Sequence, residues 1–279
     1  MFKHLLFAVF VSVAGAISAQ AGLYSGPTDT AHAIDPAILS ASPLIVEWAD
    51  TIDSSRTYFA PVGSTTISNT GFNSLGDLDA AQIAAGDSPG FLTVTFPQGI
   101  RNGSGPDFAV FENGFEFGSP NGLFAELAYV EVSSNGADFA RFPSVSTNTA
   151  PVTGASPFAG YDMSNVYNLA GKHAGGFGTP FDLSDLLSDA LVIGGAVDLN
   201  DVQYVKLVDI PGNGAFLDSQ GNGILDNWLS TGTTGGFDFR LPAGQGVGVI
   251  HAVPEPATAI LLAAAIAWIV VQQRGSRAC

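Results

Sequence analysis

Residues 91–96 read Phe91-Leu92-Thr93-Val94-Thr95-Phe96, which puts Leu92, Val94 and Phe96 on one face and Thr93 and Thr95 on the other. A period of two is the mark of a strand with one face in a core. The same alternation returns three times. Residues 127–132 direct Ala128, Val130 and Val132 inward; residues 202–210 set Val205 and Leu207 against Lys206; and Phe237-Asp238-Phe239-Arg240-Leu241 reads as aromatics in, charges out. Six Asn-Gly pairs, beginning at Asn102, Asn113, Asn121, Asn135, Asn213 and Asn222, punctuate the chain. Asn-Gly supplies the positive φ values of tight hairpins, so the expected fold is all-β: one antiparallel β-sandwich, jelly-roll-like, over residues 22–250. Few short helices are expected. Asp35-Pro36 resembles an N-cap followed by Pro at the first helical position, and 77–85 and 182–188 read as surface helices, the latter with Leu183, Leu186 and Leu187 on one face.

Composition narrows the function classes. Of 279 residues only 12% are charged, while 46% are hydrophobic, enough to bury a core and too many for disorder. The formal charge is −16, which argues against a nucleic-acid partner, since phosphate binding needs concentrated Lys and Arg. The single cysteine, Cys279, rules out an intramolecular disulfide.

The two ends read as targeting segments. Residues 1–21 carry Lys3 and His4, an apolar run from Leu5 to Ile17, and small residues at Ala19-Gln20-Ala21, the pattern of a secretory signal peptide. A second apolar run, 257–271, is followed by Arg274 and Arg277. As a helix it would span roughly 22 Å, a short membrane segment with its basic end on the cytoplasmic side. Just before it stand Val253-Pro254-Glu255-Pro256.

A Pro-Glu-Pro triplet, a hydrophobic segment and a basic tail in that order, here over residues 253–279, resemble the PEP-CTERM sorting signal of Gram-negative bacteria. The resemblance implies processing by exosortase, a membrane cysteine peptidase, after transient anchoring in the inner membrane. It also implies release to the cell surface or an extracellular matrix rich in exopolysaccharide. Trimming both ends would remove Lys3, Arg274 and Arg277 and leave a cysteine-free chain of about −19. Two central stretches, 100–115 (Ile100-Arg101-Asn102-Gly103 through Phe111-Glu112-Asn113-Gly114-Phe115) and 124–133, with Leu169-Ala170-Gly171-Lys172-His173 and Gly178-Thr179-Pro180-Phe181-Asp182-Leu183, look like an uncharacterised family of secreted bacterial surface proteins. That likeness implies no activity. The hairpin at 130–136 with Tyr204-Val205-Lys206-Leu207 is also similar to discoidin and carbohydrate-binding jelly rolls.

Candidate chemistry lies in the acids. Asp218-Ser219-Gln220-Gly221-Asn222-Gly223-Ile224-Leu225-Asp226 offers oxygens at positions one, three, five and nine, like the opening of an EF-hand calcium loop. Leu229 stands where that loop has its bidentate Glu, so Asp218, Gln220, Asn222 and Asp226 would need help, for instance from Asp209 or Asp238. The expected cofactor is Ca²⁺. Asp107, Glu112, Asn113 and Glu126 form a second acidic candidate, readable as a metal site, as the paired carboxylates of a glycosidase, or as carboxylates bonded to loop amides. Lys172-His173 lies in a glycine-rich loop without the phosphate-loop order. Tyr161, Tyr167 and Trp228 are aromatics suited to stacking on sugars or to filling a core. No Gly-x-Ser-x-Gly, His-Glu-x-x-His or Cys-x-x-Cys motif is present. The expectation is a non-enzymatic exported surface protein, calcium-stabilised and glycan-binding; the alternative is a secreted glycan-active hydrolase using Glu112 or Glu126.

Overall fold

The computed structural model describes residues 22–118, 120–150, 158–229, 234–241 and 246–254. Residues 1–21, expected to be a signal peptide, the apolar run 257–271, and Glu255-Pro256 of the triplet expected to be a sorting signal lie outside the described residues. No described helix is long and apolar enough to cross a membrane.

Two five-stranded sheets, antiparallel throughout, form the sandwich. The first runs Ile38–Leu39, Phe177–Phe181, Phe108–Phe111, Val247–Val249, Glu47–Trp48. The second runs Ala140–Arg141, Ala128–Ser133, Val202–Asp209, Phe91–Ile100, Thr51–Ile52. From Phe91 onward the main strands pass repeatedly from one sheet to the other, the crossing expected of a jelly-roll-like sandwich. Val202–Asp209 lies at the centre of its sheet, pairing Val205 with Val94 on one side and Val132 on the other.

The core between the sheets is built from the faces that the alternation predicts. Leu92, Val94, Phe96, Val130, Val132, Val205 and Leu207 meet Phe108, Val110, Phe181, Val247 and Val249. Phe108 stacks on Phe181 at 5.3 Å, and Phe142 meets both rings edge-on. Burial of these side chains, about 1.5–3 kcal/mol each, is what a fold without a disulfide rests on. The outer face of the second sheet is also covered. Tyr129 and Val208 pack there with Leu123, Leu127, Tyr161, Met163 and Ile224, contributed by the long connections. Thr93, expected at the surface, is buried as well, beside the Arg56–Thr57 segment, and donates its hydroxyl to Arg56 O at 2.6 Å. Lys206 stays outside, 2.9 Å from Glu131, which also pairs with Arg141.

Turns and helices depart from expectation where side chains find tertiary partners. Asn121, Asn135 and Asn222 lie at the ends of hairpins, but Asn213 opens a strand, Asn213–Leu217. The Ala80–Ala85 helix has a capping box between Asp79 and Gln82, close to its expected bounds. Residues 183–186 form a 3₁₀ turn with Leu183 and Leu186 buried, whereas Leu187 is exposed. The helix expected after Asp35-Pro36 is a strand, because Ile38 and Leu39 pair with Gly178 and Phe177 and the Asp35 carboxylate is engaged with Lys172 and Ser25 instead of a helix terminus.

Candidate metal centre

Glu112 follows the last residue of the Phe108–Phe111 strand, Glu126 lies two residues before the Ala128–Ser133 strand, and Asp238 opens the short Asp238–Arg240 strand that pairs with Phe72–Ser74. The ends of three separate strands thus deliver three carboxylates to one place. One oxygen from each lies within 4.8 Å of the others, a spacing at which a single cation can touch all three.

Hydrogen bonding orients the group and leaves it incomplete. Gly114 donates its backbone N–H to Glu112 Oε2 at 2.5 Å, and Asn113 donates Nδ2–H to Asp238 Oδ2 at 3.1 Å. Glu112 Oε1 and Asp238 Oδ1 are buried without a hydrogen-bond partner. Such orphaned anionic oxygens are costly, and a cation is one way to satisfy them. Among the described residues no Lys or Arg forms an ion pair with Glu112, Glu126 or Asp238. The cavity beside them, about 200 Å³, is lined by Phe72, Phe111, Glu112, Asn113, Asp238, Phe239 and Arg240.

More acid stands behind this trio. Asp209 Oδ1 accepts from Phe237 N at 2.7 Å while its Oδ2 is orphaned; Asp226 Oδ2 accepts from Leu127 N at 2.7 Å; Asp77 Oδ1 accepts from Leu78 N at 3.1 Å. Burial, reinforced by the neighbouring Asp238, pushes the Glu112 carboxyl up to about 8. Burial also lifts Asp77 to about 7 and Asp238 to about 6. Glu126, Asp209 and Asp226 are raised well above the carboxylate range, first by burial and then by the carboxylates around them, Asp238 foremost for Glu126, Asp77 for Asp209 and Asp209 for Asp226. Without a cation, the protein must hold protons here at neutral pH.

The remaining site residues expected from sequence are placed elsewhere. Asp107 does not join Glu112: it precedes the strand that Glu112 follows, and it fixes loops at that end. Its Oδ1 accepts from Gly103 N and pairs with His251 Nδ1, both at 2.7 Å, and its Oδ2 accepts from Leu183 N at 2.8 Å. The 218–226 loop is divided. Asp218 Oδ1 accepts from Gln220 N and Asn222 N, and Oδ2 from Ser146 N and Asn222 Nδ2, so both oxygens serve the turn. Burial opposes ionisation of Asp218, but those bonds outweigh it and hold the carboxyl below its ordinary value. Asp226 turns to Leu127 and the buried acids. Asp238, expected to point outward with Arg240, is buried like its aromatic neighbours. Asp77 carries no sequence signal beyond its place before a helix start.

Tyr161 is buried in the second cluster, and Trp228 is half-buried with its Nε1–H on Leu78 O. Tyr167 borders a groove of about 270 Å³ with Ile34, Asp35, Asn168, Asp182 and Asp185. No protein-family model matches the chain, and neither a curated protein nor a solved structure matches it.

Proposed function

We propose that this is an exported, non-enzymatic surface or extracellular-matrix protein whose β-sandwich takes up a calcium ion between Glu112, Glu126 and Asp238. The observation that carries the reading is the convergence of these three carboxylates with two orphaned buried oxygens and no Lys or Arg partner among the described residues. An all-oxygen donor set selects a hard cation, and extracellular modules bind calcium at about 0.1–1 mM. Asn113 helps by holding Asp238, and its own carbonyl oxygens are of the right type to add to the shell.

The size of the cavity favours a cation over a sugar. At about 200 Å³ it falls below the roughly 300 Å³ at which small-molecule pockets begin. The Tyr167 groove, at about 270 Å³, is below that size too, so glycan binding rests on the likeness to carbohydrate-binding jelly rolls and not on a pocket. The Pro254-Glu255-Pro256 triplet supports exosortase processing, and the strongly acidic trimmed chain suits a cation-rich matrix better than an anionic lipid surface.

The test has two arms. The trimmed protein is melted with a chelator and with millimolar calcium, and its retention on exopolysaccharide is measured beside release of reducing ends. The proposal expects a calcium-dependent rise in Tm and retention without turnover. Turnover abolished by Glu112→Gln would replace it with a hydrolase.

A further inference from the structure

Lys172 and Asp35 meet inside the protein. The Lys172 side chain is fully buried and the Asp35 carboxylate nearly so, with Lys172 Nζ in contact with Asp35 Oδ2. Around them stand few but specific groups. Ser25 N donates to Asp35 Oδ1 at 3.0 Å, Lys172 Nζ donates to Val166 O at 2.7 Å, and Ser25 Oγ lies 3.3 Å from Nζ. His173 Nε2 is 3.0 Å from the same hydroxyl, and its Nδ1 is 3.1 Å from Thr179 Oγ1. The Tyr24 ring lies 5.8 Å from Nζ and stacks on Tyr167.

A buried ion pair is costly to desolvate, and here burial acts on both partners in the direction of neutrality. Desolvation raises the Asp35 carboxyl and lowers the Lys172 ammonium to about 8. Burial thus brings the ion pair closer in energy to its proton-transferred form, in which Lys172 Nζ has passed one proton to the Asp35 Oδ2 it touches, and that amine and carboxylic acid are the reactant pair for an amide. Holding the two groups in contact supplies the effective concentration that the condensation needs.

We propose that Lys172 and Asp35 condense to an isopeptide bond that staples the segment carrying Ser25 and Asp35 to the body of the sandwich. The Nζ lone pair attacks Asp35 Cγ. Oδ1, held by the Ser25 N–H, becomes the amide carbonyl oxygen. Oδ2 leaves with the carboxyl proton and one proton from Nζ, as water. The other N–H stays on the nitrogen and points to Val166 O. No oxidant or cofactor is consumed. Asp35 also borders the Tyr167 groove, which gives the water an exit. Ser25, fixed by its bonds to Asp35 O and His173, is a positioning residue. The bridge would span 137 residues of sequence in a chain that has no disulfide. It is independent of the calcium reading.

Mass spectrometry of the full chain tests this directly. The expected intact mass is one water below that of the sequence, and the digest contains a branched peptide joining Asp35 to Lys172. Lys172→Met and Asp35→Ala chains should each return to full sequence mass. A wild-type chain at full mass overturns the proposal, and so does a lost water carried on a linear peptide, as an aspartyl succinimide would be. The wild-type spectrum decides whether or not the variants fold.

Discussion

Asn113 Nδ2 donates to Asp238 Oδ2 at 3.1 Å, across 125 residues of sequence. The turn that closes the Phe108–Phe111 strand is thereby tied to the strand that follows Gly236, and the acidic centre sits in that tie. A cation bound there would couple the ends of both sheets, so its effect should be read first in stability.

Calcium at about 100 times its Kd should add about 2.7 kcal/mol, and a domain of this size gains roughly 2–4 °C per kcal/mol. A rise in Tm of about 5–10 °C is therefore expected in scanning calorimetry. Glu112→Gln and Asp238→Asn should lose most of that rise while melting cooperatively.

The pH dependence of chelator-treated protein follows from the raised carboxyls. Glu112, Asp77 and Asp238 have folded values of about 8, 7 and 6, above their ordinary values of 4.5, 3.8 and 3.8. The unfolded chain releases these protons first, so their contribution is full below about pH 4 and is lost as pH rises toward 8. Cation-free protein should melt at progressively lower temperature between pH 5 and pH 8, and calcium should flatten that fall. Equilibrium melts across the interval check the sign.

Asp218→Ala separates this account from the EF-hand-like reading of the 218–226 loop. Losing the four bonds that Asp218 accepts should cost about 2–3 kcal/mol, yet the calcium response should persist. A normal melt with no calcium response would return the site to this loop.

Asp107→Ala should be at least as destabilising, about 3 kcal/mol, because Gly103 N, Leu183 N and His251 Nδ1 lose a buried acceptor. Its effect should add to that of Glu112→Gln, since the two lie at opposite ends of a strand and share no partner. A double-mutant cycle measures this.

Gly236→Ala probes the wall of the acidic centre. Gly236 has φ +70°, and a Cβ there would lie 2.6 Å from Asp209 Oδ1 and 2.7 Å from Gly76 O. Strain and contact together should cost more than about 1 kcal/mol in chemical denaturation.

The strand faces were legible because period two is a local property. Leu92, Val94 and Phe96 point where alternation puts them, and so do Val205 and Leu207. Thr93 and Asp238 broke the same rule because each has a partner distant in sequence, Arg56 O for Thr93 and Asn113 Nδ2 for Asp238, that no window of six residues contains. The acidic centre was half legible. Glu112, Asn113 and Glu126 stand close in sequence, and Asp238 was in view only as a helper for another loop. Asp107 looked like their neighbour, yet the four-residue strand between it and Glu112 carries them apart. Asp35-Pro36 had the residue types of a helix start, but an ion pair to Lys172 depends on a partner 137 residues away.

The most direct test of the calcium centre is a calorimetric titration of Ca²⁺ into chelator-treated, trimmed protein. The account predicts one saturable site, abolished by Glu112→Gln and by Asp238→Asn and kept in Asp218→Ala. No binding heat in the wild-type chain, or binding unchanged in both acidic-centre variants, would contradict it.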